Sequence, residues 1–171
     1  MKSGDLPGLQ IEMKPSQFID KLSPVDRNNM ARLTQGLVKS LSEQNMHGAI
    51  VGVGGILTKP APRKDIDCVI LLNMNGNRSD TQYDIATKRM NILEPVVRGI
   101  EKESDGFFKI SEIVEPKIDH MHEDMGYTID DGDIQIQPKD GTLIDLIPRS
   151  EESLEKHIQK QYEPFAVLKT F

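Results

Sequence analysis

The residues best suited to chemistry lie close together in the chain. Val51-Gly52-Val53-Gly54-Gly55 is followed, after nine residues, by Asp65-Ile66-Asp67-Cys68-Val69. Alternate side chains of a strand share a face. Asp65 and Asp67 therefore point the same way, about 6.6 Å apart along the strand. Ile66, Cys68, Ile70 and Leu72 take the other face. Two like carboxylates so placed repel one another unless a cation joins them. Oxygen ligands suit a hard ion such as Mg²⁺, which keeps waters and substrate phosphates as its remaining ligands.

A third carboxylate interrupts the apolar run Leu143-Ile144-Asp145-Leu146-Ile147-Pro148. A charge inside such a strand is expensive unless it is paired or bound to metal. If that strand lies beside the Asp65/Asp67 strand, three acids meet. Three acids can hold two metal ions about 3.5–4 Å apart, the arrangement that handles in-line phosphoryl displacement. Gly54-Gly55 follows a strand directly, where glycine permits positive φ and close approach of backbone N–H groups to a phosphate. Lys59, Arg63 and Lys64 come next, with no acid before Asp65. A local positive segment thus adjoins the carboxylates.

The elements that must hold these residues can be read from spacing. Residues 1–15 carry Gly4, Pro7, Gly8 and Pro15 and read as an irregular lead-in. Ser23-Pro24 opens a helix as N-cap and first helical residue, with the stripe Met30, Leu33, Leu37, Leu41. His47–Val53 and Asp65–Leu72 read as strands, with Pro60 and Pro62 opposing regular structure between them. A second helix runs from about Asp80 to Lys102 on the stripe Tyr83, Ala86, Met90, Leu93, Val97, Ile100, kinked at Pro95. Phe107–Val114, Tyr127–Asp130, Asp133–Gln137 and Thr142–Ile147 read as a meander of strands, the last two joined by the turn Pro138-Lys139-Asp140-Gly141. Ile118–Met125 reads as a short helix, and Glu151–Gln161 as a last one capped by Ser150. The expected fold is α+β (mixed α/β): a mixed sheet with helices on one face and an antiparallel meander. The expected division is a lead-in at 1–22, the main domain at 23–150, and a C-terminal helix and tail at 151–171.

Composition narrows the functional classes. The chain has 171 residues, 21 Lys+Arg against 27 Asp+Glu, and a formal charge of −6. The acidic balance opposes coating an extended nucleic-acid track by bulk charge. No apolar run approaches the roughly 20 residues of a membrane span, and Met1–Asp5 shows no apolar signal block. A cytoplasmic home is expected. One cysteine, Cys68, excludes an internal disulfide and a Cys-based zinc site. Its place on the apolar face makes it a buried, inert thiol.

Gly54-Gly55, Asp65-Ile66-Asp67-Cys68 and Ile144-Asp145-Leu146, in that order, resemble the nucleotidyltransferase superfamily with the DNA polymerase β-type palm. Ile144-Asp145-Leu146-Ile147-Pro148 looks like the third-acid strand of its archaeal CCA-adding and oligoadenylate-synthetase-like branches. The resemblance spans about residues 47–148. It implies that Asp65 and Asp67 bind two Mg²⁺ ions (Mn²⁺ as an alternative) and the NTP substrate. It implies that Asp145 holds the ion that activates the acceptor hydroxyl, and that Gly54 and Gly55 contact the phosphates. Lys59, Arg63 and Lys64 stand as further phosphate-binding candidates. A nucleoside monophosphate would pass to a hydroxyl acceptor, with release of pyrophosphate. The acceptor could be RNA, a nucleotide, a small molecule or a protein. The chain departs from the family in having Gly55-Ile56-Leu57 where many members have Ser and an Arg-rich turn.

Other readings stand beside this one. A fold of that type can be catalytically silent, binding a nucleotide or a protein partner. A plain α+β interaction domain would leave the three acids far apart. His120-Met121-His122-Glu123 lacks ligand spacing on a helix. Asp130-Asp131-Gly132-Asp133 reads as a hairpin turn rather than a calcium loop. Residues 101–133 hold eleven acids against three bases, which reads as a solvated acidic face.

Overall fold

The structure is a computed structural model and describes residues 12–54, 65–74, 79–122, 126–151, 154 and 164–171. A two-residue strand, β1 (Glu12–Met13), precedes a short helix, α1 (Pro15–Ile19). Helix α2 (Pro24–Glu43) starts where Ser23 Oγ accepts the Asp26 N–H at 3.1 Å. Strands β2 (His47–Val53) and β3 (Asp65–Asn73) follow. Helix α3 (Gln82–Glu103) is capped reciprocally: Thr81 Oγ1 accepts the Asp84 N–H at 3.1 Å, and the Asp84 carboxylate accepts the Thr81 N–H at 2.9 Å. Pro95 lies inside α3, which runs unbroken through it. The remaining strands are β4 (Phe108–Val114), β5 (Lys117–His122), β6 (Gly126–Asp130), β7 (Asp133–Pro138), β8 (Leu143–Arg149) and β9 (Phe165–Thr170). No helix among the described residues is long and apolar enough to cross a membrane.

Seven strands form one mixed sheet in the order β1-β9-β2-β3-β8-β7-β4. The β3–β8 and β1–β9 pairs are parallel and the others antiparallel. Alternation decides what each face buries. Ile66, Cys68, Ile70 and Leu72 of β3 join Ile144 and Leu146 of β8 and Ile134 and Ile136 of β7 against the stripes of α2 and α3. The opposite face holds a smaller cluster, Ala49, Val51, Val53, Val69, Leu71, Leu154 and Phe165. Helices α2 and α3 therefore cover one face, and helical Leu154 packs against the other.

Three expectations change. Ile118–Met125 is not a helix: residues 117–122 form β5, paired with β6 as a separate two-stranded sheet. Ile118 opposite Ile129 gives that pair its cross-strand contact, and pairing satisfies backbone groups that one isolated helical turn leaves open. Residues 130–133 make a tight link but not a hairpin, because β6 and β7 belong to different sheets. Asp130 Oδ1 accepts the Gly132 N–H at 2.9 Å, and Gly132 takes φ +79°. The lead-in at 1–15 is not irregular throughout: Glu12–Met13 form β1 and Pro15 opens α1, whose Phe18 is fully buried in the main core. Gly52 makes room for it, since a Cβ there would strike the Phe18 ring.

The C-terminal stretch adds an unanticipated strand. β9 lies inside the sheet between β1 and β2. Its apolar start, Phe165-Ala166, is fully enclosed. Of the expected helix at 151–161, Glu151 and Leu154 are helical, and the rest lies outside the described residues.

Candidate functional site

A row of side chains crosses the face of the sheet opposite α2 and α3. Val53 of β2 is the partner of Asp67 on β3, and Asp67 is the partner of Asp145 on β8. Asp145 faces Gln135 on β7, which faces Glu112 on β4. Neighbouring strands lie about 4.8 Å apart, so Asp67 and Asp145 sit one strand spacing apart on one face. Asp65 is one pleat back along β3, opposite Leu143, and is exposed. The expected adjacency of the two acidic strands is present, and it is parallel.

Electrostatics mark Asp145 as the costly member. Burial comes first, and the nearby Asp133, Asp67, Asp65 and Glu112 carboxylates add to it, pushing its pKa up to about 7. Its Oδ1 is buried without a hydrogen-bond partner. Asp133 is shifted up as well, by burial first and then by Asp130 and Glu112, and its Oδ1 is also buried without a partner. Desolvation and like-charge repulsion both favour the neutral acid. A divalent cation would reverse that balance by compensating several of these charges at once.

Gly54 closes the site at the end of β2. It takes φ +83°, and a Cβ there would run into the Asp67 carboxylate. Only glycine lets the backbone turn this closely over that side chain. Gly55, Lys59, Arg63 and Lys64 lie outside the described residues.

The donor set fits a hard cation in its chemistry: oxygen ligands only, one of them a buried orphan. Among the described residues, no three His, Cys, Asp or Glu side chains are gathered closely enough to hold an ion as they stand. Asp67 and Asp145 are the residues that would hold such an ion, while Asp65 sits at the exposed rim.

Cys68 sits on the reverse side of the same strand and is completely buried. Burial, then Asp67 and Asp145, push its thiol pKa far up. It takes no part in the site.

Sequence reading missed three residues here. Asp133 and Glu112 were absorbed into a solvated acidic face, and Gln135 was read only as part of a strand. The signal lay in Asp133-Ile134-Gln135-Ile136-Gln137, whose alternation turns 133, 135 and 137 away from the core. Nor is the whole acidic stretch a solvated surface. Asp131 is half-buried between the Arg89 guanidinium at 3.7 Å and that of Arg149 at 3.8 Å.

No protein-family model matches the chain, and no curated protein matches it. Among solved structures it is similar to one described as "The complex structure of CCA-adding enzyme with ATP", with 19% identity and a TM-score of 0.35. The match covers 85% of this chain and 26% of that one, so the chain spans about a quarter of that structure's length. A likeness this distant assigns no activity.

Proposed function

We propose that this chain is a nucleotidyltransferase that moves a nucleoside monophosphate from an NTP to a hydroxyl acceptor. The observation that carries the reading is the register of Asp67 beside Asp145, with Gly54 turned tightly over Asp67. In this reading Asp67 and Asp145 hold Mg²⁺, and Asp65 joins them from the rim. The bound ion supplies charge neutralisation on the phosphates and a more acidic acceptor hydroxyl. In this reading the backbone N–H groups at Gly54 and Gly55 contact phosphate oxygens. Lys59, Arg63 and Lys64 add positive charge for the same oxygens. The acceptor oxygen forms its bond to the α-phosphorus as the bond to the β-phosphate oxygen breaks. Pyrophosphate leaves, and the hydroxyl proton passes to water.

The test is direct. The full chain is incubated with Mg²⁺, each labelled NTP, and acceptors drawn from RNA, nucleotides, hydroxyl-bearing small molecules and proteins. Pyrophosphate should appear with one NTP and acceptor and disappear in Asp67→Asn. Release that survives this substitution would sink the assignment.

One observation favours a second reading. The three acids are not gathered as they stand, which suits a silent module that binds a nucleotide without turning it over. Mg²⁺-NTP would then raise the melting temperature, as any ligand of the native state does, with no pyrophosphate formed.

A further inference from the structure

The turn that feeds β8 is gripped from across the chain. Asp26, in the first turn of α2, is 8% exposed. Its carboxylate accepts the Thr142 backbone N–H at 2.8 Å and the Thr142 hydroxyl at 2.7 Å. Asn29, one helical turn on, is 1% exposed and donates from Nδ2 to the Asp140 carbonyl at 2.7 Å. Gly141 lies between them at φ +117°, and a Cβ there would come within 2.8 Å of Asp26 Oδ1. Glycine lets the turn seat on both side chains. Ser23 already caps α2, so Asp26 is not needed as the helix's cap. A carboxylate this buried is costly unless its hydrogen bonds are made, and Asp26 makes two to Thr142.

Thr142 directly precedes β8, and Asp145 is the third residue of that strand. A one-residue slip of a strand turns every side chain to the other face. Such a slip would bury Asp145 against α3 and turn Leu146 onto the opposite face. The β7–β8 turn sets the register of β8, and Asp26 and Asn29 fix that turn. We propose that Asp26 and Asn29 are positioning residues: they clasp the β7–β8 turn and so hold Asp145 in register with Asp67 for a divalent cation. The inference rests on the reading of Asp67 and Asp145 as cation ligands.

Mn²⁺ binding to the full chain, followed by the loss of the free-ion electron paramagnetic resonance signal, tests it. Hydrogen exchange of the 140–146 amides provides a second readout. The variants are Asp26→Ala, Asn29→Ala, Asp26→Asn and Thr142→Val, with Asp67→Asn and Asp145→Asn as references. The references should lose Mn²⁺ binding; if they bind as wild type does, the cation reading falls, and the clasp's role with it. With the references behaving as expected, Asp26→Ala and Asn29→Ala should weaken Mn²⁺ about tenfold or more, the scale of losing a group that orients a metal ligand. Exchange should quicken at 140–146 and stay unchanged in α3. Asp26→Asn keeps an acceptor for the Thr142 N–H and should lie between wild type and Asp26→Ala. If Asp26→Ala does not fold, Thr142→Val removes one bond of the clasp and should weaken Mn²⁺ measurably. Variants that are folded and less stable but bind Mn²⁺ as wild type does would overturn the proposal, since the clasp would then be structural only.

Discussion

Asp67 and Asp145 are direct partners across the parallel β3–β8 pair, on the face of the sheet opposite α2 and α3. Apolar residues flank each of them along its strand, and their opposite neighbours Cys68, Ile144 and Leu146 are fully buried. A strand pair with this patterning could bury Val or Leu at both positions and gain stability. Two facing carboxylates instead make the sheet repel itself at its centre. That cost is the physical reason for assigning the pair a cation-binding role.

Replacing either acid should therefore separate activity from stability. Asp67→Asn and Asp145→Asn should lower NTP turnover by on the order of a hundredfold or more, as when one preorganised electrostatic partner of the transition state is removed. The fold should survive in both. Asp145→Asn should raise the stability of the metal-free protein, because a neutral amide relieves both burial and like-charge repulsion. Pyrophosphate release and urea melts on the same preparations read the two effects. A variant that loses activity only by unfolding would deny the acids their special role.

The pH dependence of stability carries the same signature. In the folded chain the pKa of Asp145 is raised from 3.8 to about 7, so between these values the native state holds a proton that the unfolded state has released. Stability then falls as pH rises through that window. Asp133 is shifted in the same direction and adds to the slope. The contribution is fully present below about pH 4 and is lost by about pH 7. The difference between wild type and Asp145→Asn, measured by urea melts at intervals from pH 4 to 8 without divalent ions, isolates it. Wild type should lose ground steadily to the variant as pH rises. Saturating Mg²⁺ should shrink the gap, because the cation takes the place of the proton.

Gly54 should tolerate no side chain. Gly54→Ala places a Cβ against the Asp67 carboxylate and holds a non-glycine residue at φ +83°. The backbone term alone costs about 1–2 kcal/mol. Melting temperature should fall, and Mg²⁺-dependent nucleotide binding should fall further than the stability loss accounts for. Gly99→Ala is the control, since a Cβ there meets nothing and an interior helical alanine is favoured over glycine. Equal effects at the two positions would show that Gly54 has no special place in the site.

What the sequence revealed and what it hid follow from the range of the interactions involved. Helices α2 and α3 announced themselves by apolar stripes, and α2 also by Ser23 as its cap, all local signals. The pair Asp65/Asp67 could be placed on one face because strand alternation is also local. That β3 and β8 would be neighbours rested on the character of Asp145, an acid too costly to leave alone in an apolar strand; that they run parallel did not show in the sequence. β9 was missed because a strand at the C-terminus shows its role only through its partners, β1 and β2, which lie far away in sequence. β5 was taken for a helix because Ile118-Asp119-His120-Met121 alternates too briefly to separate the two periods. Asp133 and Glu112 were hidden among many acids; alternation along 133–137 turns Asp133 away from the core, and the register of β4, β7 and β8 brings Glu112 into the row with Asp145 and Asp133 beside it.

The lead-in can be tested as part of the core. Phe18 is fully buried and packs over Gly52. Phe18→Ala should cost about 3–5 kcal/mol, the usual range for emptying an enclosed aromatic site. An irregular, detached lead-in would give a value near zero in the same denaturant melt. Phe18→Leu should recover part of the loss, because it refills volume without the ring.

Cys68 offers the last check, from the reverse side of β3. It is fully buried between the sheet and the helices, and burial, with Asp67 and Asp145 beside it, opposes the thiolate. The thiolate is the reactive form, so modification requires the strand to open. A thiol reagent should leave the native chain unmodified over minutes and react at once in denaturant. In native buffer, the reaction should follow the opening of the β2–β3–β8 centre. Mg²⁺ should slow it, because an ion held by Asp67 and Asp145 stabilises the closed strands without touching the sulfur. Rapid native labelling would contradict the face assignment of β3, on which the direction of Asp65 and Asp67 also depends.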